Sequence, residues 1–303
     1  MRHSPCASIF ALLIALPAAG ASPPPAAPPA AAALAALEAR AHGRLGVAAL
    51  DTGSGRRIDH RGTEPFPMCS TFKVLLCARV LQRVDHGEER LDRPITFTEA
   101  DLPEYAPVVR AHLDAGGLSV GALCAATVEV SDNAAANLLL KSIGGPAAVT
   151  AFARSLGDER TRLDRVEPDL NSALPGDPRD TTTPDAMLED LRLLLLGGGL
   201  PSSSARQLEA WMAGATTGAG RLRAGVPASW TVAHKTGTGE RGTTNDVALL
   251  RAPGRAPILV AAYLTGSDLP AAEREAVLAE AARIVVGAFP PAPPHTEDRA
   301  RGR

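Results

Sequence analysis

Lysine is nearly absent from this chain. Of 303 residues, 31 are basic, yet only Lys73, Lys141 and Lys235 are lysine and the other 28 are arginine. Where lysine persists against such a bias, the planar and permanently charged guanidinium is expected to be chemically unacceptable. Histidine is also thinly spread. The seven histidines never come closer than 18 positions, which removes any His-x-His or His-x-x-x-His ligand pair and with it a zinc hydrolase. Neither sign of charge dominates: 31 basic residues face 33 acidic ones, a formal charge of -2 with no basic stripe, so nucleic acid finds no electrostatic footprint. A small molecule is the expected partner. No apolar run reaches the roughly 20 residues needed to span a bilayer. Aromatic residues make up only 3%, but 45% of the chain is hydrophobic and 21% charged, enough to bury the core of one large or two interleaved domains.

Residues 1–21 carry a short basic start (Arg2, His3), an apolar run from Ile9 to Leu16, a break at Pro17 and a small-residue end, Ala19-Gly20-Ala21. This is the pattern of a signal peptide. Cys6 precedes the apolar run and is badly placed for lipidation, so export to a bacterial periplasm or the medium, without a stable membrane anchor, is expected. Residues 22–30 read as a Pro/Ala-rich linker and 290–303 as a flexible tail. Between them, Ala31–Ala41 reads as a helix and Leu45–Leu50 and Arg56–Arg61 as strands. Helical patterns fill about 71 to 214. Strand patterns return at Trp230–Lys235, Thr244–Leu250 and Ile258–Leu264, before an amphipathic helix over Pro270–Ala288. Strands at both ends with helices between predict an α+β fold: a five-stranded antiparallel sheet flanked by terminal helices, with an all-helical domain inserted. The expected division is 31–65 with 215–289 for the sheet domain and 66–214 for the helical one, which holds a compact loop over 165–180. A monomer is expected. Export would leave Cys69, Cys77 and Cys124, an odd number in an oxidising compartment, of which two should pair. Cys77 with Cys124 is the favoured bridge, contributing about 4 kcal/mol on the chain-entropy picture. Cys69 then remains as a small buried residue.

Several short patterns have a plain reading beside a chemical one. Gly237-x-Gly239-x-x-Gly242 matches the dinucleotide fingerprint literally, but a strand pattern follows it, so it reads as a hairpin turn. Ser70-Thr71-Phe72-Lys73 opens a run so apolar that its helix must be largely buried. Residues three apart share a helix face, so the Ser70 hydroxyl and the Lys73 amine can meet. A lysine partly withdrawn from water can accept the serine proton, which arginine cannot. The plain reading is an N-cap serine with a surface lysine. Ser131-Asp132-Asn133 reads as a helix cap, Lys235-Thr236-Gly237 as a turn after a strand, and Glu167-Pro168-Asp169-Leu170-Asn171 as part of a surface loop whose ends, Arg165 and Asp180, can clamp it shut.

Together, Ser-x-x-Lys, Ser-Asp-Asn and Lys-Thr-Gly in that order form the signature of penicillin-interacting serine enzymes. With Glu167-Pro168-Asp169-Leu170-Asn171 between the second and third motifs, the chain resembles class A serine β-lactamases over Ala31 to Ala288. Thr71, Phe72, Glu104-Tyr105, the Cys77 and Cys124 pair, Thr161 to Arg165 and Asp180-Thr181-Thr182 also match. The resemblance implies that Ser70 attacks the lactam carbonyl, with the amides of Ser70 and Thr238 as oxyanion hole. It implies that Ser131 relays a proton to the departing nitrogen, that Asn133 binds the substrate's side-chain amide, that Tyr105 and Gly237 line the substrate site, and that Lys235 and Thr236 face its carboxylate. Glu167, with Asn171, would hold the hydrolytic water, either Lys73 or Glu167 would be the base for acylation, and Glu167-Pro168 would be a cis peptide. Neither a cofactor nor a metal is implied. Thr243, Thr244 and Asn245 stand where many relatives carry an arginine after the hairpin turn, and Arg221 matches the position from which some members supply that charge. Cys69 has no cysteine opposite it at Thr238-Gly239-Glu240, so a bridge like that of carbapenem-hydrolysing members cannot form. The rivals are a cell-wall DD-peptidase or transpeptidase, against which Glu167 argues, and a β-lactam sensor domain, which needs a membrane connection.

Overall fold

The computed structural model describes Met1 and residues 29–289. The expected signal peptide, the linker up to residue 28 and the tail lie outside the described residues. Helix α1 (Ala30–Arg40) precedes strands β1 (Arg44–Asp51) and β2 (Arg57–His60). Strand β3 (Phe66–Pro67) and a 3-10 turn over Cys69–Phe72 then lead into α2 (Lys73–Asp85). After it come β4 (Pro94–Thr96), α3 (Pro107–Ala111), β5 (Gly117–Ser119), α4 (Val120–Glu129), α5 (Asn133–Ile143) and α6 (Pro146–Ser155). The chain continues through β6 (Thr181–Thr182), α7 (Pro184–Leu195) and α8 (Ser202–Ala213) to β7 (Thr231–Gly239), β8 (Thr243–Arg251), β9 (Ile258–Thr265) and α9 (Ala271–Ala288). Five strands form one antiparallel sheet in the order β2-β1-β9-β8-β7, so the first strands of the chain join its last, with Ala48 opposite Ala261. The segment expected to be all helical also holds two short ribbons, β3 with β6 and β4 with β5.

Both faces of the sheet are covered, which is why β1, β8 and β9 show nearly continuous burial instead of alternating apolar and polar residues. Successive side chains of a strand point to opposite faces. Val47, Ala49, Val260 and Ala262 pack with Leu34 and Leu37 of α1 and Leu278 and Val285 of α9. Ala48, Leu259, Ala261 and Tyr263 belong to the other core, with Phe72 and Leu75 beside α2 and Leu188 of α7. Helix α2 is the centre of that second core. Val74 to Ala78 are all at 0% exposure, as its unbroken apolar run requires.

One glycine lets the edge of the sheet meet the turn before α2, and another shapes the adjoining hairpin. A Cβ at Gly237 would lie 2.7 Å from the Met68 carbonyl oxygen, so only glycine lets β7 approach the turn that carries Ser70. Asn245 of β8 fastens the same turn by donating to the carbonyls of Pro67 (2.9 Å) and Met68 (3.1 Å). Gly242 sits in the β7–β8 hairpin at φ +64°, where a Cβ would collide with the Ser267 carbonyl. The glycine triplet is thus a hairpin, with Gly239 opposite Thr243.

The loop over 165–180 is closed as its end charges suggested. Arg165 Nε donates to Asp180 Oδ2 at 2.6 Å, while Asp180 Oδ1 accepts the amides of Asp164 (2.8 Å) and Arg165 (2.9 Å). Lys141 is exposed on α5. The cysteine pairing needs correction: Cys77 and Cys124 are both buried thiols, not a bridge. Helices α2 and α4 bring them together, but Cys77 Sγ is directed at the Cys124 backbone carbonyl, 3.7 Å away. Burial, and then the adjacent Cys77, push the Cys124 thiol up. Cys69 is likewise a buried thiol. No helix among the described residues is long and apolar enough to cross a membrane.

Beneath the loop, Asp158 and Asp190 form a buried acid pair. Asp158 Oδ1 accepts the amides of Arg160 (2.6 Å) and Thr161 (3.0 Å), anchoring the approach to the loop. Burial and the neighbouring Asp158 carboxylate push Asp190 up to about 9, against an ordinary value of 3.8. The folded protein therefore holds a proton here that the unfolded chain releases, and stability falls as pH rises between those values. Asp190→Asn keeps the shape without the titration. The melting temperature of this variant, relative to the parent, should climb as pH goes from about 5 to about 9 in scanning calorimetry; a constant difference would show that Asp190 is ionised throughout.

Candidate active site

Ser70 occupies the 3-10 turn just before α2, not the helix itself, and its hydroxyl is directed away from that helix. It donates to Glu167 Oε1 at 2.8 Å. Lys73 Nζ reaches the same carboxylate oxygen at 2.9 Å, with both side chains at 0% exposure. No hydrogen bond joins Ser70 directly to Lys73 among the described residues, so the expected meeting of the two is made through Glu167. The ammonium is satisfied further by the Ser131 carbonyl (2.9 Å), Ser131 Oγ (3.2 Å) and Asn133 Oδ1 (2.7 Å). These acceptors come from the Ser-Asp-Asn turn. Asp132 does cap α5, taking the Ala135 amide at 2.9 Å, and its other oxygen takes the Val108 and Val109 amides. The cap and the site are the same device: capping holds Ser131 at φ +62° with its oxygens turned toward Lys73.

Glu167 is placed by the loop and by α5. Asn137 Nδ2 donates to the Glu167 carbonyl (2.9 Å), and the Glu167 amide donates to Asn137 Oδ1 (3.0 Å). The Glu167–Pro168 peptide is cis. Asn171 Nδ2 donates to Glu167 Oε2, so each carboxylate oxygen has its own partners. Burial alone would raise the Glu167 carboxyl; the Lys73 ammonium, helped by hydrogen bonds from Ser70 and Asn171, outweighs it and holds the group below its ordinary value.

Lys235 enters from β7, the edge strand of the sheet. Its ammonium donates to Ser131 Oγ at 3.0 Å and to the Thr236 carbonyl at 2.9 Å. Ser131 Oγ thus sits between two ammonium groups. Burial first, and then the charge of Lys73, lower Lys235 well below the usual lysine value, against the opposing pull of Glu167 and Asp246.

Above these groups lies a cleft of about 360 Å³. Ser70, Ser131, Asn133 and Asn171 line one side, Thr236, Thr238 and Arg221 the other, and the half-exposed ring of Tyr105 stands at its mouth, its hydroxyl donating to the Val130 carbonyl. Lys73, Glu167 and Lys235 are buried and bonded to the Ser70 and Ser131 hydroxyls that line it, and Gly237 is buried in β7. Arg221 differs from the sequence reading. It is only 7% exposed, and its guanidinium is already engaged. One nitrogen donates to the carbonyls of Gly237 and Asn245 (both 2.9 Å), another to Thr238 Oγ1 (2.7 Å), and Nε to Glu275 (3.0 Å). Its charge reaches the cleft through the Thr238 hydroxyl. Among the described residues no group of three His, Cys, Asp or Glu side chains is arranged to hold a metal.

Sequence reasoning missed Asn137, Asn245 and Thr217. Asn137 stands four positions after Asn133 on α5 and so on the same helix face, a signal that was available. Asn245 was considered only as a residue lacking charge. Thr217, whose hydroxyl meets that of Thr236 at 2.7 Å, has no local signal.

Comparison with known proteins agrees with this geometry. The pattern of the beta-lactamase enzyme family matches residues 29–289. Beta-lactamase AST-1 of Nocardia asteroides is 50% identical over 255 residues, 84% of this chain and 82% of its own. Beta-lactamase CTX-M-8 of Citrobacter amalonaticus is 46% identical, over 84% of this chain and 88% of its own. Among solved structures, an ancestral class A beta-lactamase (GNCA) superposes with a TM-score of 0.84 at 60% identity, covering 86% of this chain and all of that one, 100%. A putative class A beta-lactamase, PenP, from Rhodopseudomonas palustris superposes with a TM-score of 0.84 at 53% identity, over 86% of this chain and 99% of that one. The buried serine, lysine and glutamate on this scaffold, together with these likenesses, show that the chain belongs to the β-lactamase enzyme family, as a class A enzyme.

Proposed function

We propose that this enzyme opens the lactam ring of penicillins and cephalosporins with Ser70 and clears the resulting ester with a water activated by Glu167. The observation that carries the reading is the 2.8 Å hydrogen bond from the Ser70 hydroxyl to a buried, ionised Glu167. The same carboxylate can take the Ser70 proton during acylation and a water proton during deacylation. In the first step Ser70 Oγ bonds to the lactam carbonyl carbon, the amides of Ser70 and Thr238 receive the negative oxygen, and the carbon–nitrogen bond breaks. Ser131, between two ammonium groups, gives its proton to the departing ring nitrogen and is reprotonated from Lys73, which in turn takes from Glu167 the proton that came from Ser70, leaving the carboxylate ionised for the second step. In the second step a water held by Glu167 and Asn171 attacks the ester, and Ser70 leaves with a proton returned by Glu167. Lys73 is the counter-charge of Glu167 before and after this proton exchange, the part of the reading in which Glu167 and not Lys73 is the base. Lys235 and Thr236 attract the substrate carboxylate, Asn133 and Gly237 hold its side-chain amide, and Tyr105 walls the mouth.

The chain is read as acting alone, as an exported monomer in the periplasm or medium, with 31–65 and 215–289 as one domain and 66–214 as the other. Export fits a substrate met outside the cell.

Mixing the purified protein with excess penicillin, and following intact mass and lactam absorbance together, tests the reading. Catalytic loss of lactam with a transient adduct is expected; a stable one-to-one adduct without turnover would refute it in favour of a penicillin-binding peptidase or a sensor. Glu167→Ala should trap the adduct, and its rapid clearance would remove Glu167 from deacylation.

The charge directions set the pH profile. Glu167 ionises below its ordinary 4.5, so kcat/KM should hold as pH falls through that value and collapse only beneath it. Lys235 loses its proton below the usual 10.5, so KM for carboxylate-bearing substrates should rise on the alkaline side before that pH is reached. Stopped-flow profiles with both limbs at ordinary values would contradict these assignments. Arg221→Ala removes both the charge and the partner of Thr238, and should raise KM several-fold for the same substrates; unchanged kinetics would leave Arg221 without a role in binding.

A further inference from the structure

A second cavity, larger than the catalytic cleft, lies on the far side of the 165–180 loop. Its volume is about 550 Å³, within the range of small-molecule sites. The loop lines it through Ala173, Leu174, Pro175 and Pro178, and β3 with the residue before it lines it through Pro67 and Pro65. Leu174 is 39% exposed, one of few large apolar side chains in water among the described residues. The rim is cationic. Arg44 and Arg162 are matched by Glu64 and Asp164, and the acids Glu159 and Asp177 by Arg154 and Arg179. That leaves Arg160 and Arg241, both exposed, which pair with no carboxylate among the described residues. An apolar slot with two uncommitted guanidinium groups at its edge fits a flat apolar body carrying one anionic group.

We propose that this cavity binds an amphipathic organic anion, an aryl or alkyl carboxylate or sulfonate, and that a ligand there acts on the loop bearing Glu167. The link is short. The Asn171 carbonyl accepts the Glu240 amide at 2.9 Å on the catalytic side, and Ala173, two residues after Asn171, and Arg241, the residue after Glu240, line the cavity. Ala173 and Arg241 hold positive φ angles of 47° and 54°, so both segments turn sharply at the cavity wall. A ligand wedged between them bears on the same two strands of chain that carry Asn171 and the end of β7. The second half of the proposal rests on the hydrolytic reading above; the first does not.

The probe is 8-anilinonaphthalene-1-sulfonate, titrated into the full-length protein and followed by its fluorescence. One-to-one saturable binding is expected. Arg160→Glu and Leu174→Asp, both at exposed positions and each checked for native circular dichroism, should weaken it about tenfold or more, equivalent to roughly 1.4 kcal/mol. Tyr105→Ala, in the catalytic cleft, should leave the affinity unchanged. N-Phenyl-1-naphthylamine, the same ring system without the sulfonate, should bind about tenfold more weakly. At saturating dye, penicillin turnover should change in kcat with KM held. Absence of saturable binding, equal affinity in both cavity variants, equal binding of the uncharged dye, or loss of binding in Tyr105→Ala would each overturn the site. Inhibition competitive with penicillin would place the dye in the catalytic cleft and refute it too, and kcat unmoved by bound dye would overturn the link to the loop. The titration needs no turnover, so it stands or falls separately from the hydrolytic mechanism.

Discussion

Two full charges, the Lys73 ammonium and the Glu167 carboxylate, are held entirely out of water 2.9 Å apart, and the rest of the molecule is arranged to make that tolerable. Removing a pair of ions from water costs several kcal/mol per ion, and their mutual attraction offsets this only when the remaining hydrogen-bonding positions are filled. Here they are filled from three separate stretches of chain. Ser131 and Asn133 satisfy the ammonium, Ser70 and Asn171 the carboxylate, and Asn137 holds the glutamate backbone. The apolar length of α2 keeps Lys73 dry, and the Arg165–Asp180 clamp holds the loop that delivers Glu167. A well-packed apolar pair would serve stability as well or better. Under the proposed mechanism the ions act on the Ser70 proton, a role that folding alone does not require.

The legible parts of the fold were those written in local periodicity. Both terminal helices and four of the five strands lie within a residue of where their apolar patterns placed them, because each pattern depends on faces buried by near neighbours; β7 instead runs on to Gly239, through Lys235-Thr236-Gly237 that read as a turn, because its pairing with β8 continues there. The scarcity of lysine was informative for a different reason. It is a statement about chemistry, and Lys73 and Lys235 are the two lysines at 0% exposure, while Lys141 is exposed. What local pattern could not give was direction. Ser70 and Lys73 share a helical spacing, yet the serine hydroxyl is directed to a residue 97 positions away. Counting cysteines gives parity and not orientation, which is how two adjacent thiols came to be expected as a bridge. Arg221 was recognised as a charge, but where a guanidinium spends its five hydrogens depends on β7, β8 and α9 all being present.

Family likeness supplied the roles, and the geometry adds a reason for each. Ser131 is suited to proton relay because two ammonium groups converge on its oxygen. Asp132 takes no part in the chemistry, but by capping α5 and anchoring the segment at Val108 and Val109 it sets the aim of its neighbours on both sides. A capping residue and a catalytic turn are usually described apart. Here one carboxylate does the first so that the second exists.

The pairing of β1 with β9 has a consequence for the life of the chain before it is an enzyme. The strand that begins the sheet has only β2 beside it until the last strand has been synthesised, and such sequence-distant pairings form late and slowly. The stretches that surround Ser70, β7 with its Lys235 included, all precede that last strand in the chain. The molecule therefore stays open at its centre for most of its synthesis. The two halves of the sheet are thus joined last, at the seam between β1 and β9.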